Sequence, residues 1–298
     1  GALGFVSFSG TPIDTGKKRL PAAKNLSQSK TLAEIPGTCI HFVDAAEIVE
    51  KGALRVRMIC EQTLVQKTSQ NICARIEGSD KSDDILTVTA HYDSVPQGPG
   101  AYDNMAGCAI VMELFLYFCE HKPRRTIDFV FFGAEETGMH GSKEYVNSLT
   151  KKAKDNIVLM INIDSILAGD NLYLYGGRIN DKGVVKDVEA VNKAFEIAKK
   201  ANLPMQLTPK GNVDYPYPTG QKRSDHAPFS DIGIPYIYFE ANNWLNGLPV
   251  ETENHGLIMH SDKDDLSFIE NEYGNRAKDT MANYSHLLHL VLQENNWE

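Results

Sequence analysis

Apolar residues recur along this chain with two periods. Four short runs, residues 85–90, 126–132, 157–163 and 234–239, are apolar on both faces and rich in β-branched and aromatic side chains. Runs of that length and composition predict strands of a sheet covered on both sides. Between them the period lengthens to that of helices. Residues 104–120 are apolar at nearly every turn and predict a buried helix, whereas 184–202 and 275–292 predict amphipathic covers. Strand alternating with helix predicts an α/β fold, a doubly wound, mostly parallel sheet covered by helices.

The beginning of the chain has a different texture. Residues 3–8 predict a strand, 10–37 are rich in Gly, Pro, Lys and Ser and predict a long loop, and 38–43 form a second apolar run. Asp44 is placed to cap a short helix that Gly52 would end. In 54–64 the charged Arg55, Arg57 and Glu61 alternate with Val56, Met58 and Cys60, the pattern of a half-buried strand. The polar stretch EGSDKSDD at 77–84 marks a turn before the first fully apolar run.

Composition narrows the function classes. Of 298 residues, 42% are hydrophobic and 23% charged, which supports a sizeable core and excludes a disordered chain. Thirty Lys and Arg against 39 Asp and Glu leave a net charge of −9, so neither nucleic acid nor an anionic membrane surface is a favoured partner. No run approaches the ~18 uninterrupted apolar residues of a membrane span, because the most apolar segment, 106–118, contains Glu113. The five cysteines (Cys39, Cys60, Cys73, Cys108 and Cys119) lack C-x-x-C spacing, which points to neither a disulfide framework nor a thiolate zinc site. Most sit in apolar runs and are expected to pack as small hydrophobes.

Ligands of open α/β sheets bind beyond the carboxyl ends of the strands, and those ends are unusually polar here. The first apolar run is followed by His91, Tyr92 and Asp93, with Asp103 ten residues further on; the second is followed by Glu135 and Glu136, the third by Asp164, and late in the chain comes His260. Carboxylates crowded at one sheet edge raise one another's pKa, and a divalent metal removes that cost. Nitrogen and oxygen ligands without thiolates suit zinc, with Co2+ or Mn2+ as substitutes, and two such ions form a hydrolytic clamp. In an extended H-x-D pair both side chains point the same way, so Asp93 can accept from the second ring nitrogen of His91 and orient it. Of two adjacent glutamates ending an apolar strand, one can be a ligand and the other a general base.

These residues carry a resemblance. AHYDS, GAYDN, GAEETG, MINID, SDHAPF before GIPYIYFE, and a late H-S-x-x-D resemble the co-catalytic zinc aminopeptidases of the M28 family over residues 71–292. The resemblance implies two zinc ions per chain, one held by His91 and Asp164, the other by Glu136 and His260, with Asp103 bridging them. It implies Glu135 as general base and acid, Asp93 as partner of His91, and peptide or protein N-termini as substrates. YPYPTG and YFEANNW resemble more narrowly the bacterial alkaline-phosphatase isozyme conversion aminopeptidases. Residues 1–70, through GALGFVSFSG and IPGTCIHFVDAAEIVEKGA, resemble the latter part of a protease-associated α/β insertion, and 71–298 the peptidase domain. On that basis, and because the chain opens on an apolar segment without Met, it is expected to be part of a longer protein.

Two departures from the family pattern matter. Met259 stands where several relatives place Tyr or Trp before the last ligand, and the late motif reads HSDKDD, which keeps an acid at Asp264. Asp225 and His226 are weighed as site groups against a loop cap beneath the substrate pocket, and Arg223 as a cationic group for a substrate carboxylate. Glu240, at a strand end, predicts a preference for N-terminal Arg or Lys. The alternatives are a single-zinc glutaminyl cyclase, a carboxypeptidase of the same superfamily and a non-catalytic peptidase-like binding module; the joint presence of Asp103, Glu135 and Glu136 argues against the cyclase, and the complete ligand set against the module.

Overall fold

The structure, a computed structural model, describes residues 3–9, 35–52, 55, 57–59, 61, 63, 65–178, 189–207, 224–243, 251–254, 256–294 and 297. Its elements in chain order are β1 (Phe5–Ser9), β2 (Gly37–His41), α1 (Phe42–Glu50), β3 (Ile72–Ile76), β4 (Ile85–His91), α2 (Ala106–Glu120), β5 (Thr126–Phe132), α3 (His140–Ser148), α4 (Lys151–Asn156), β6 (Ile157–Ile163), β7 (Asn171–Gly177), α5 (Glu189–Lys200), β8 (Met205–Leu207), α6 (His226–Asp231), β9 (Tyr236–Asn242), α7 (Leu266–Tyr273) and α8 (Arg276–Gln293). Among the described residues, seven strands form one sheet in the order β3-β5-β4-β6-β9-β7-β8.

The four apolar runs became its centre. β5, β4, β6 and β9 are mutually parallel, while β3 pairs antiparallel with β5, and β7 antiparallel with β9. Alternate residues of these strands feed two separate cores. Leu86, Val88 and Ala90 of β4 pack with Ile110, Val111 and Leu114 of α2 and with Leu287, Leu288 and Val291 of α8. On the opposite face Val130, Phe132, Met160, Tyr236 and Tyr238 pack with Val146 of α3 and Phe229 of α6. Helices on both faces of a mostly parallel sheet give the expected doubly wound architecture. Leu114 is fully buried between α2 and the sheet, and truncating it leaves a cavity that rigid neighbours cannot close. Leu114→Ala should therefore cost about 2–5 kcal/mol in a urea unfolding experiment; a loss below about 0.5 kcal/mol, the size of a surface change, would contradict this packing.

Several local expectations changed. The buried helix begins at Ala106 rather than Asn104, because Asp103 (φ −123°, ψ 87°) and Asn104 (φ −142°, ψ 41°) leave helical space. One side of it also faces solvent, with Met112 46% and Leu116 58% exposed. The cap of α1 is His41, whose Nδ1 accepts from Val43 N at 3.2 Å. Asp44 sits instead in the first turn, where the helix dipole favours an acid. The described residues among 54–64 form no strand. The sheet edge beside β5 is β3, which the apolar pattern does not single out. Of Cys39, Cys73, Cys108 and Cys119 only Cys108 is buried; Cys60 lies outside the described residues. No helix among the described residues is long and apolar enough to cross a membrane.

Candidate metal centre

The sheet reverses its winding between β4 and β6: β5 lies on one side, and β6 followed by β9 on the other. A crevice opens there beyond the carboxyl ends of the strands. His91 is the last residue of β4, and Asp164 follows the last residue of β6.

Asp103 reaches the crevice from the turn Ala101–Met105 that leads into α2. The neighbouring Asn104 pins this turn, donating from Nδ2 to Ile163 O (2.8 Å) and accepting on Oδ1 from Gly107 N (3.1 Å). Gly107 permits the approach, because a Cβ there would stand 2.6 Å from Ile163 O. Asp103 is thereby pressed against the end of β6, next to Asp164.

The two glutamates follow β5 on a turn whose Ala134 has φ +57°. Asp93 fixes that turn by accepting two consecutive amides, Glu135 N on Oδ1 at 3.0 Å and Glu136 N on Oδ2 at 3.2 Å. The nearer acceptor for His91 Nδ1 is the Asp93 backbone carbonyl at 3.0 Å, with the carboxylate at 3.6 Å. A proton on Nδ1 leaves the Nε2 lone pair facing the crevice. His260 and Ser165 also carry left-handed backbone, φ +59° and +54°. Such conformations cost of order 1–3 kcal/mol each and gather where side chains must be aimed.

The side chains meet in two sets that share one carboxylate. His91 Nε2 lies 3.0 Å from Asp103 Oδ1 and 3.4 Å from Asp164 Oδ1. His260 Nε2 lies 3.2 Å from Asp103 Oδ2 and 3.0 Å from Glu136 Oε2. Within each set the ligand atoms are all within 4.8 Å of one another. His91 Nε2 is buried, yet has hydrogen-bond geometry to neither carboxylate it faces.

Electrostatics favour positive charge in both sets. Burial opposes a proton on His91, but Asp164, Asp103 and Asp93 outweigh it and hold the ring's pKa well above its usual value. Burial likewise opposes charge on His260, and Asp103 with Glu136 still push it up to about 10. Asp103 is held below the usual carboxylate range despite its burial, by the His260 and His91 rings. Burial raises Glu136, partly offset by His260. A field that favours a proton on each ring also favours a divalent cation between ring and carboxylates. Each set offers one imidazole and two carboxylates, a zinc-compatible donor set with a coordination position to spare.

Glu135 lies beside these sets without belonging to either. Burial, with Asp225, Asp164 and Asp103 around it, pushes its pKa well above the ordinary glutamate value, while His91 pulls the other way. Asp225 and His226 are fully buried at the start of α6. The His226 ring stacks on Tyr236 and Tyr238, centroids 4.5 and 4.6 Å away, so it serves the core beneath the crevice. Glu240 lies inside β9 at 2% exposure, because that strand runs on to Asn242. Met259 packs against the core. Arg223, YPYPTG and the rest of the NNWLNG loop after Asn243 lie outside the described residues.

A buried chain of side chains behind Asp164 escaped the sequence reading. Ser224 Oγ donates to Asp164 Oδ2 (2.6 Å) and accepts from Asn162 Nδ2 (2.8 Å), whose Oδ1 accepts from Thr89 Oγ1 (2.9 Å). Ser165 Oγ donates to the other oxygen, Asp164 Oδ1, at 3.0 Å. The available signal was a polar residue interrupting a strand apolar on both faces, Thr89 in β4 and Asn162 in β6.

Comparison with known proteins adds a lineage. The model of peptidase family M28 matches residues 71–285. Aminopeptidase YwaD of Bacillus subtilis (strain 168) is 29% identical over 270 residues, which cover 88% of this chain and 53% of that protein. The chain thus spans about half the length of this curated relative. Among solved structures, BSAP, a zinc aminopeptidase from Bacillus subtilis, superposes with a TM-score of 0.66 at 23% identity, over 98% of this chain and 64% of that one. A glutaminyl cyclase from an Acidobacteriales bacterium superposes with a TM-score of 0.54 at 17% identity, over 76% of this chain and 74% of that one. At such identities the likeness is one of fold.

Proposed function

Because the chain belongs to peptidase family M28, we propose that it is a metallo-aminopeptidase that removes N-terminal residues from peptides, using two zinc ions and Glu135 as general base. The observation that carries this reading is the sharing of Asp103, one oxygen toward His91 and the other toward His260. His91, Asp103 and Asp164 would hold one ion; Asp103, Glu136 and His260 would hold the other. When bound, the pair would supply Lewis-acid polarisation of the scissile carbonyl and a lowered pKa for the attacking water.

The remaining chemistry belongs to side chains of the chain. A Glu135 carboxylate oxygen takes the proton of the attacking water and later returns it to the leaving amine. A raised pKa suits that cycle, since the carboxyl must hold the proton between the two steps. Asp93 keeps the turn of Glu135 and Glu136 in place through its two amide contacts. Ser224 and Ser165 each donate to one oxygen of Asp164 and so fix its orientation. Residues 1–70 belong, in this reading, to a partial protease-associated insertion, and 71–298 to the peptidase domain.

Elemental analysis of the purified chain, combined with release of amino-acyl anilides before and after chelation, tests the assignment. Two zincs per chain and chelator-sensitive release are expected. One zinc together with cyclisation of N-terminal Gln would replace the reading with the cyclase to which the fold is also similar.

A further inference from the structure

Asp264 belongs to neither ligand set, yet it is 2% exposed and lies four residues beyond His260. Its carboxylate accepts from two consecutive amides of the turn that carries Asp103: Tyr102 N on Oδ1 at 2.6 Å and Asp103 N on Oδ2 at 3.2 Å. Its backbone carbonyl accepts from Ala101 N at 3.4 Å. Three successive amides of one turn therefore face a single residue. The close approach depends on Gly98, where a Cβ would stand 2.3 Å from Ser261 O and 3.3 Å from Asp264 Cβ.

We infer that Asp264 is a positioning residue for both metal sets, fixing the shared carboxylate of Asp103 by holding the amides of its turn against the loop of His260. This inference rests on the two-ion reading above. The Asp103 turn has two anchors: Asn104 ties it to β6 beside Asp164, and Asp264 ties it to the chain around His260. Asp103 must keep one oxygen 3.0 Å from His91 and the other 3.2 Å from His260, so a rotation of its backbone disturbs both distances together. Asp93 holds Glu135 and Glu136 by the same two-amide device on the other side of the crevice. A carboxylate suits that task because both of its oxygens accept, whereas an amide in its place accepts on one side and presents N–H groups to a donor on the other.

The test is a calorimetric titration of zinc into the metal-free full chain, wild type and Asp264→Asn, with the melting temperature of each metal-free protein as control. The variant is expected to weaken both zinc steps together by about 10–100-fold, the scale for partners of metal ligands, while the metal-free melting temperature stays near that of wild type. Loss confined to the Glu136 and His260 step would overturn the inference, since Asp264 would then act through its own loop alone. Unchanged zinc constants would overturn it as well, whether or not the melting temperature falls. Should the variant fail to fold, hydrogen exchange on wild type decides: protection of the Tyr102 and Asp103 amides comparable to that of β4 supports the inference, and loop-like exchange overturns it. A wild-type chain that binds fewer than two zincs removes the two-ion reading itself, a failure separate from that of the variant.

Discussion

Glu135→Gln is expected to lower the turnover number by about two to four orders of magnitude while both proposed zincs stay bound, the usual scale for loss of general acid and base catalysis. Glutamine matches glutamate in shape but holds no exchangeable carboxyl proton, so the amide contacts that fix the turn survive. Those contacts, Glu135 N and Glu136 N to Asp93, involve only backbone on the Glu135 side. The Glu136 side chain, 3.0 Å from His260 Nε2, is likewise untouched. Steady-state kinetics on an anilide substrate with parallel zinc analysis separates the outcomes. Activity near wild type would remove Glu135 from the proton transfer, and loss of zinc would make it part of the metal-holding set.

Under the two-ion proposal, Asp103→Ala is expected to remove both ions and bring activity to background. The reason is geometric: each set contains three ligating residues and Asp103 is the member common to both, so one deletion leaves two pairs, His91 with Asp164 and Glu136 with His260. It also leaves two buried rings facing fewer counter-charges, since Asp103 contributes to the raised pKa of both His91 and His260. The loss in affinity should exceed the about 10–100-fold typical of residues that only support a ligand. Zinc analysis after dialysis against buffered metal, compared with Asp164→Ala and Glu136→Ala, checks this. Those two variants are expected to retain one ion each, and one retained ion in Asp103→Ala would mean that the two sets do not depend on a common carboxylate.

Much of the fold was legible because strands buried on both faces leave a strong trace. Residues 126–132 and 157–163 are apolar apart from Thr126, Asp128 and Asn162, and the structure forms strands over those same ranges. Elements whose formation depends on an available partner were not legible. The alternation of charged and apolar residues in 54–64 has the right period for a strand, but the described residues among them form none. β7, NLYLYGG, carries two terminal glycines and no uniform apolar run, yet it pairs antiparallel along the whole of β9. For the candidate site, His91, Glu136 and Asp164 could be picked out as polar residues just past apolar runs, whereas Asp103 and His260 stand away from the strand ends.

The sequence by itself determined the doubly wound sheet, the strand ends that carry polar groups, and the residue types offered there, because burial on two faces and nitrogen-oxygen donor chemistry are both local properties of the chain. Only the tertiary structure decided which oxygen of Asp103 faces which ring, that Asp93 and Asp264 each hold two amides of a ligand-bearing turn, and that Ser224 orients Asp164. Those contacts join residues 12 to 162 positions apart, and neither the period of a helix nor that of a strand encodes them. They exist because the winding of the sheet reverses between β4 and β6 and brings distant loops to one crevice, where the closeness of backbone amides, and not only the identity of side chains, sets the geometry.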